Sequence, residues 1–202
     1  VDIVRSIGGG LIKSVRAVTG RWHPRFDTEG NYTAFVEFTD GTPATLVFNG
    51  YGGFDMTELT WGIGEGGYPV SERSAKEASV EGPVSALAKY SEPSRAERRQ
   101  RAGARRQPFF GLTLVSCERG DIRQSPNGLY LYTDRGREEL HCPPFMDRAG
   151  ELRRLYEAAT LNQPEFADGK WGKSTLEVLL AILQSSKERR EIALAHQVAC
   201  TL

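Results

Sequence analysis

Cysteine is scarce in this chain. There are three in 202 residues, Cys117, Cys142 and Cys200, an odd number with no Cys-x-x-Cys pair. That spacing argues against a disulfide framework or a zinc site and fits free thiols in a reducing compartment, so a cytoplasmic setting is expected. Charge of one sign is also lacking in excess, since Lys plus Arg and Asp plus Glu both number 26. No net field steers the chain towards nucleic acid or a membrane surface. No apolar run reaches the roughly 18 residues of a membrane span. The three histidines are scattered, and no Ser/His/Asp grouping, metal-ligand spacing or repeat period stands out. There is no initiating Met and no signal-like start. The opening Val1-Asp2-Ile3-Val4-Arg5 reads as the middle of a helix, which suggests a piece of something longer.

What is present suits a folded domain: 39% hydrophobic and 26% charged residues. Apolar spacing at Val1, Ile3, Val4 and Ile7 predicts a short helix, stopped by Gly8-Gly9-Gly10. Leu11 to Trp22 alternates like a strand. Asn31–Phe38 and Ala44–Asn49 flank Thr39-Asp40-Gly41-Thr42, the strongest hairpin signal in the sequence. Phe54 to Ile63 reads as a further strand. Over about 70–107 helix formers and charges dominate, suggesting two short helices near 83–90 and 94–104. Strands return at Phe109–Cys117, Ile122–Ser125, Leu129–Thr133 and Glu138–Cys142, with Pro126-Asn127-Gly128 and Asp134-Arg135-Gly136 as turns.

The tail predicts a helix capped by Asp147 and running to about Leu161, with Leu152, Leu155 and Tyr156 on one side. A second helix over about 172–187 presents Leu176, Leu179, Leu180 and Leu183, and a short strand follows at Glu191–Leu194. Hairpin strands with helices gathered at the ends predict an α+β fold, a largely antiparallel open sheet with helices on one face. One domain over 1–202 with a helical excursion at about 70–107 is expected.

Gly62-Ile63-Gly64-Glu65-Gly66-Gly67 matches G-x-G-x-x-G. A dinucleotide turn needs a helix to follow, and Tyr68-Pro69-Val70-Ser71 begins none, so a glycine-rich exit from a strand is the reading taken. The basic run from Ser94 to Arg106 could contact nucleic acid, but no aromatic residues interleave it, and a solvated helix face is preferred. The cluster Arg21-Trp22-His23-Pro24-Arg25 at a strand end is the best ligand loop. Arg21, His23 and Arg25 could grip a carboxylate, since guanidinium pairs carboxylate in bidentate fashion.

VDIVRSIGGG, then LIKSVRAVTGRW and TEGNYTAFVEFTDGTPATLVFNGY, and the closing WGKSTLEVLLAILQSSKERREIALAHQV resemble the Gfo/Idh/MocA oxidoreductase family. The similarity is to its C-terminal domain, nearest to members acting on dihydrodiols of phthalate. The resemblance spans almost the whole chain and is weak over about 70–107. Asp2 matches an aspartate that follows the family's helix histidine, and Arg5 matches an arginine, which makes Asp2 a substrate-side residue by resemblance.

The family implies an NAD or NADP cofactor in the full-length parent, held by a Rossmann domain that this stretch does not contain. It also implies a catalytic lysine and histidine outside these residues. No catalytic or cofactor-binding residue is therefore assigned here, and the stretch alone is expected to be inactive. The fold implied is similar to the C-terminal domain of glyceraldehyde-3-phosphate dehydrogenase, with a carboxylated small-molecule substrate and a homodimer through the sheet. A non-enzymatic ligand-binding or assembly module on the same fold is the alternative, and neither nucleic acid nor membrane is an expected partner.

Overall fold

The computed structural model describes residues 1–24, 29–50, 54–69, 105–143, 148–165 and 167–200. The two helices expected near 83–90 and 94–104, and the capping Asp147, lie outside these residues. The chain forms two compact units, residues 1–52 with 151–202, and residues 53–150. In chain order the elements are α1 (Asp2–Ile7), β1 (Ile12–Gly20), β2 (Asn31–Phe38), β3 (Pro43–Asn49) and a 3-10 turn at Met56–Leu59. Then come β4 (Leu114–Cys117), β5 (Gly120–Ser125), β6 (Gly128–Thr133), β7 (Gly136–His141), α2 (Arg148–Leu161), α3 (Gly169–Glu188) and β8 (Ile192–Ala193). The α+β expectation holds, with the strands divided between two four-stranded antiparallel sheets.

The first unit carries the sheet β3-β2-β1-β8. Period-two alternation puts Val15, Ala17, Ala34, Val36 and Leu46 on one face, all buried. The opposite face shows Val18, Phe35 and Val47 at 45%, 46% and 71% exposure. The hairpin forms where Asp-Gly predicts it. Gly41 takes φ 88°, and Asp40 Oδ1 accepts from the Thr42 amide at 2.9 Å. The glycines after α1 act in two ways. Gly9 and Gly10 adopt positive φ, whereas Gly8 is needed for space, since a methyl group there would come within 2.1 Å of the Phe38 ring.

Helix α3 packs on β1. It is capped by Asp168, whose carboxylate accepts from the Trp171 amide. Its buried face is Trp171, Ser174, Val178, Ala181, Ile182 and Ser185. This corrects the expected leucine face, because Leu176, Leu179, Leu180 and Leu183 are all exposed. The sheet selects small and β-branched residues because they let helix and strand approach closely. Two serines then finish the sheet edge. β8 pairs only with Ser14 and Val15; further along β1, Ser185 Oγ accepts from the Ala17 amide at 2.8 Å and Ser186 Oγ from the Thr19 amide at 3.0 Å. Both would otherwise be ladder donors without a strand partner. In α2 the expected apolar side is likewise exposed, with Leu152, Leu155 and Tyr156 above 60%.

The second unit carries the sheet β4-β5-β6-β7, an up-and-down meander with short turns. Residues 54–63 are not the expected strand. Asp55 caps a 3-10 turn by accepting from the Thr57 amide, and Trp61 and Gly62 both take positive φ. Two successive left-handed residues cannot continue a ladder, and only Ile63 forms a bridge, to Pro69.

The corrected face of α3 gives an expected outcome. Ile182→Ala, which removes buried aliphatic volume, should destabilise the chain by about 2–5 kcal/mol. Leu180→Ala, on the exposed side, should cost about 0.5 kcal/mol or less. Denaturant melts of both variants check this, and equal losses would restore the leucine face as the packed one.

Candidate functional site

The start of α1 meets the start of α3 at a small polar cluster. Arg5 is fully buried. Its Nη1 donates to the Trp171 carbonyl at 3.1 Å and to Thr175 Oγ1 at 2.6 Å, its Nη2 to the Gly10 carbonyl at 3.4 Å, and its Nε to Gln197 Oε1 at 3.2 Å. The guanidinium also lies 3.8 Å from the centre of the Trp171 ring. Every acceptor is neutral, so the charge rests on dipoles and a π face. Burial pulls the Arg5 pKa below its ordinary value, and the nearby Asp2 charge opposes that pull.

Asp2 is on the exposed side of this cluster. Its Oδ1 accepts from Trp171 Nε1 at 2.7 Å and from Thr175 Oγ1 at 3.0 Å. Both bonds end on one oxygen, so the carboxylate is oriented while its second oxygen stays available. Thr175 therefore relays between a buried cation and an exposed anion, receiving from Arg5 and donating to Asp2. The arrangement ties the start of α1 to the start of α3.

The C-terminal tail closes the far side. Glu177 accepts from the Ala195 and His196 amides and from Gln197 Nε2. Partial burial works against its charge, but these donors outweigh it and hold the carboxyl pKa below the ordinary value. Ser174 Oγ meets the His196 carbonyl, and the Cys200 amide donates to the Gly9 carbonyl at 2.8 Å. His196 thus enters through its backbone.

The expected ligand loop leaves β1 at Gly20. Trp22 folds back over that residue, since a methyl group on Gly20 would come within 2.5 Å of its Nε1. Arg21 is exposed and His23 is half-buried, while Arg25 lies outside the described residues. The structure does not join this loop to the Asp2 cluster by any described contact.

The Gly62–Gly67 turn does not fit a dinucleotide. The amides of Gly62, Ile63, Gly64 and Gly67 donate to the carbonyls of Thr57, Thr60, Tyr68 and Gly64. A phosphate cradle requires those N–H groups to face the ligand. Of the basic run, Arg105 donates to the Gly66 carbonyl and Arg106 to Asn127 Oδ1, so both help tie down their own unit. A broad groove of about 1240 Å³ lies at one end of the second sheet, lined by Arg119, Arg135 and Arg137 together with Asp121, Asp134 and Glu138.

Trp171 and Thr175 were missed by reading the sequence. They stand about 170 positions from Asp2, and only the packing of α3 brings them near. The available signal was the polar interruption Trp171-Gly172-Lys173-Ser174-Thr175 ahead of the leucines.

The chain is 26% identical to a 1-carboxy-3-chloro-3,4-dihydroxycyclohexa-1,5-diene dehydrogenase of Comamonas testosteroni, over 99% of this chain and 53% of that protein. A dehydrogenase of Bordetella bronchiseptica RB50 shares 33% identity and superposes with a TM-score of 0.77, across 96% of this chain and 52% of its own. The WlbA dehydrogenase of Bordetella pertussis, solved with NADH and UDP-GlcNAcA, has the same fold at 14% identity and a TM-score of 0.53, across 96% of this chain and 42% of its own. The chain thus spans about half the length of these relatives. No protein-family model matches it.

Glu177 supplies a pH test. A carboxyl whose folded pKa is depressed contributes stability that is complete above its ordinary value and is lost as pH falls through the folded one. Glu177→Gln should therefore lower stability at pH 7, and the gap to the parent chain should close below the ordinary value of 4.5. Thermal melts from pH 7 down to about 3, spanning the carboxylate range, measure it. A gap that stays constant with pH would contradict the assignment.

Proposed function

We propose, for a chain that is a relative of the Gfo/Idh/MocA oxidoreductases, that it is the substrate-binding and dimer-forming half of an NAD(P)-dependent dehydrogenase. The substrate class is a cis-dihydrodiol of a carboxylated, phthalate-like ring. The observation that carries this reading is the near-complete alignment with a dehydrogenase named for a carboxylated dihydroxycyclohexadiene. In the reaction a ring carbon bearing hydroxyl gives up hydride and the hydroxyl gives up its proton. The resulting hydroxyketone then loses its remaining ring hydrogen by tautomerisation and becomes a catechol. The nicotinamide supplies the hydride acceptor and is bound elsewhere in the full enzyme.

Within this half, Asp2 orients against the substrate side while Trp171 and Thr175 hold it. Arg21, with His23 and Arg25, anchors a substrate carboxylate, for which a guanidinium fork is the matching shape. The exposed Val18, Phe35 and Val47 make the open face of the first sheet suitable for a twofold partner. These apolar side chains stand among Arg16, Thr33, Glu37 and Thr45 on the same face, a mixed surface of the kind protein–protein contacts use.

In the full-length enzyme, Arg21→Ala and Arg25→Ala should each raise KM for a carboxylated dihydrodiol by about tenfold or more, the worth of a charge-assisted bond. Unchanged KM in both would remove the anchor. Val47→Glu should shift the protein from dimer to monomer in light scattering without unfolding it. A dimer that survives would place the contact on another surface.

A further inference from the structure

The second unit carries a cation–aromatic face that the dehydrogenase reading does not use. Arg123 lies directly opposite Tyr130, and Tyr132 opposite Arg137, so these four side chains share one side of the sheet. Trp61 reaches the same side from the left-handed turn that precedes it, with its ring 5.9 Å from Tyr130 and 5.8 Å from the buried Phe109. The Arg123 guanidinium stands 5.1 Å from the Trp61 ring and 5.3 Å from Tyr130, and its Nε donates to the Tyr132 hydroxyl at 2.9 Å. Arg137 lies 4.7 Å from the Tyr130 ring. The hydrogen bond from Arg123, with Arg137 adding to it, draws the Tyr132 phenol below its ordinary pKa.

Neither guanidinium forms an ion pair with a carboxylate among the described residues. Two carboxylates share the face. Glu139 is engaged by Ser125 and Asn127, and Asp121 borders Tyr132 in register. Two positive forks are therefore held beside three half-exposed rings. Arginine paired to aromatic rings recognises planar anions, because one group stacks while the other forks onto a carboxylate.

We propose that Trp61, Arg123, Tyr130, Tyr132 and Arg137 form a binding site for planar aromatic carboxylates, separate from the Arg21 loop and independent of it. The acidic neighbours Asp121 and Glu139 favour a small mono- or dianion over a polyanion, since a phosphate backbone would run past both. The rings favour an aromatic acid over its saturated counterpart, because only the former presents a π face to stack.

The test uses the 202-residue chain with benzene-1,2-dicarboxylate as probe, followed by calorimetry and by tryptophan fluorescence with Trp61→Phe as the signal control. Saturable binding is expected, with quenching that Trp61→Phe removes. Arg123→Gln and the exposed Arg137→Gln should each weaken binding about tenfold or more, the scale of a lost charge-assisted bond. Cyclohexane-1,2-dicarboxylate should bind about tenfold more weakly, for want of stacking. Circular dichroism confirms that each variant folds, and Arg137→Gln decides the matter should Arg123→Gln fail to. Absent saturation, binding that survives both arginine changes, or equal affinity for the saturated acid would overturn the proposal. So would a single-stranded RNA oligonucleotide that binds more tightly than the probe and displaces it, which would make the face a nucleic-acid platform. Loss of this site would leave the Arg21 anchor standing, and loss of that anchor would leave this site standing.

Discussion

The first unit depends on one buried cation. Arg5 brings a full charge into an interior position and finds only neutral oxygens and an indole ring there. A buried charge costs several kcal/mol unless every donor is satisfied. That cost makes the surrounding geometry compulsory. The α3 start must present the Trp171 carbonyl and Thr175, the glycine turn must present Gly10, and the tail must bring Gln197. The first ten residues, the start of α3 and the tail are tied because one side chain cannot be left unsatisfied. Replacing such a group with an apolar one can be neutral for stability, so the role left to it is positioning. What it positions is Asp2, through Thr175.

Helix α3 serves two surfaces with two kinds of residue. Towards the sheet it shows Ser174, Val178, Ala181, Ile182 and Ser185, which leave β1 little distance to cross. Away from it stand four leucines. Leucine dominates any hydrophobic pattern, so a reading by apolarity chooses the wrong side. The serines of that face look polar and therefore look external, yet Ser174 and Ser185 are fully buried: Ser185 Oγ accepts from the Ala17 amide and donates to the Arg190 carbonyl, and Ser174 Oγ donates to the Lys170 carbonyl.

Sequence and structure agree where local chemistry decides the outcome. The Asp40-Gly41 hairpin, the meander turns and the helix capped by Asp168 each need only nearby residues. They part at residues 54–63, where alternating apolar residues suggest a strand but the Asp55 cap and the left-handed pair Trp61-Gly62 bend the chain instead. The site divides the same way. Asp2 could be singled out through a resemblance at the first ten residues, whereas its partners Trp171 and Thr175 are set by tertiary packing. The face around Arg123 was hidden for a related reason, since a lone arginine in a strand gains meaning only from the register that aligns it with Tyr130.

The serine-finished edge of β1 makes growth of the first sheet one-sided. Side-chain hydroxyls already occupy the main-chain donors beyond β8, so a foreign strand arriving there would have to displace a packed helix. At the other border β3 ends the sheet with a proline at its first residue and threonine and valine beyond. For the first sheet, strand addition is thereby confined, among the described residues, to a single border.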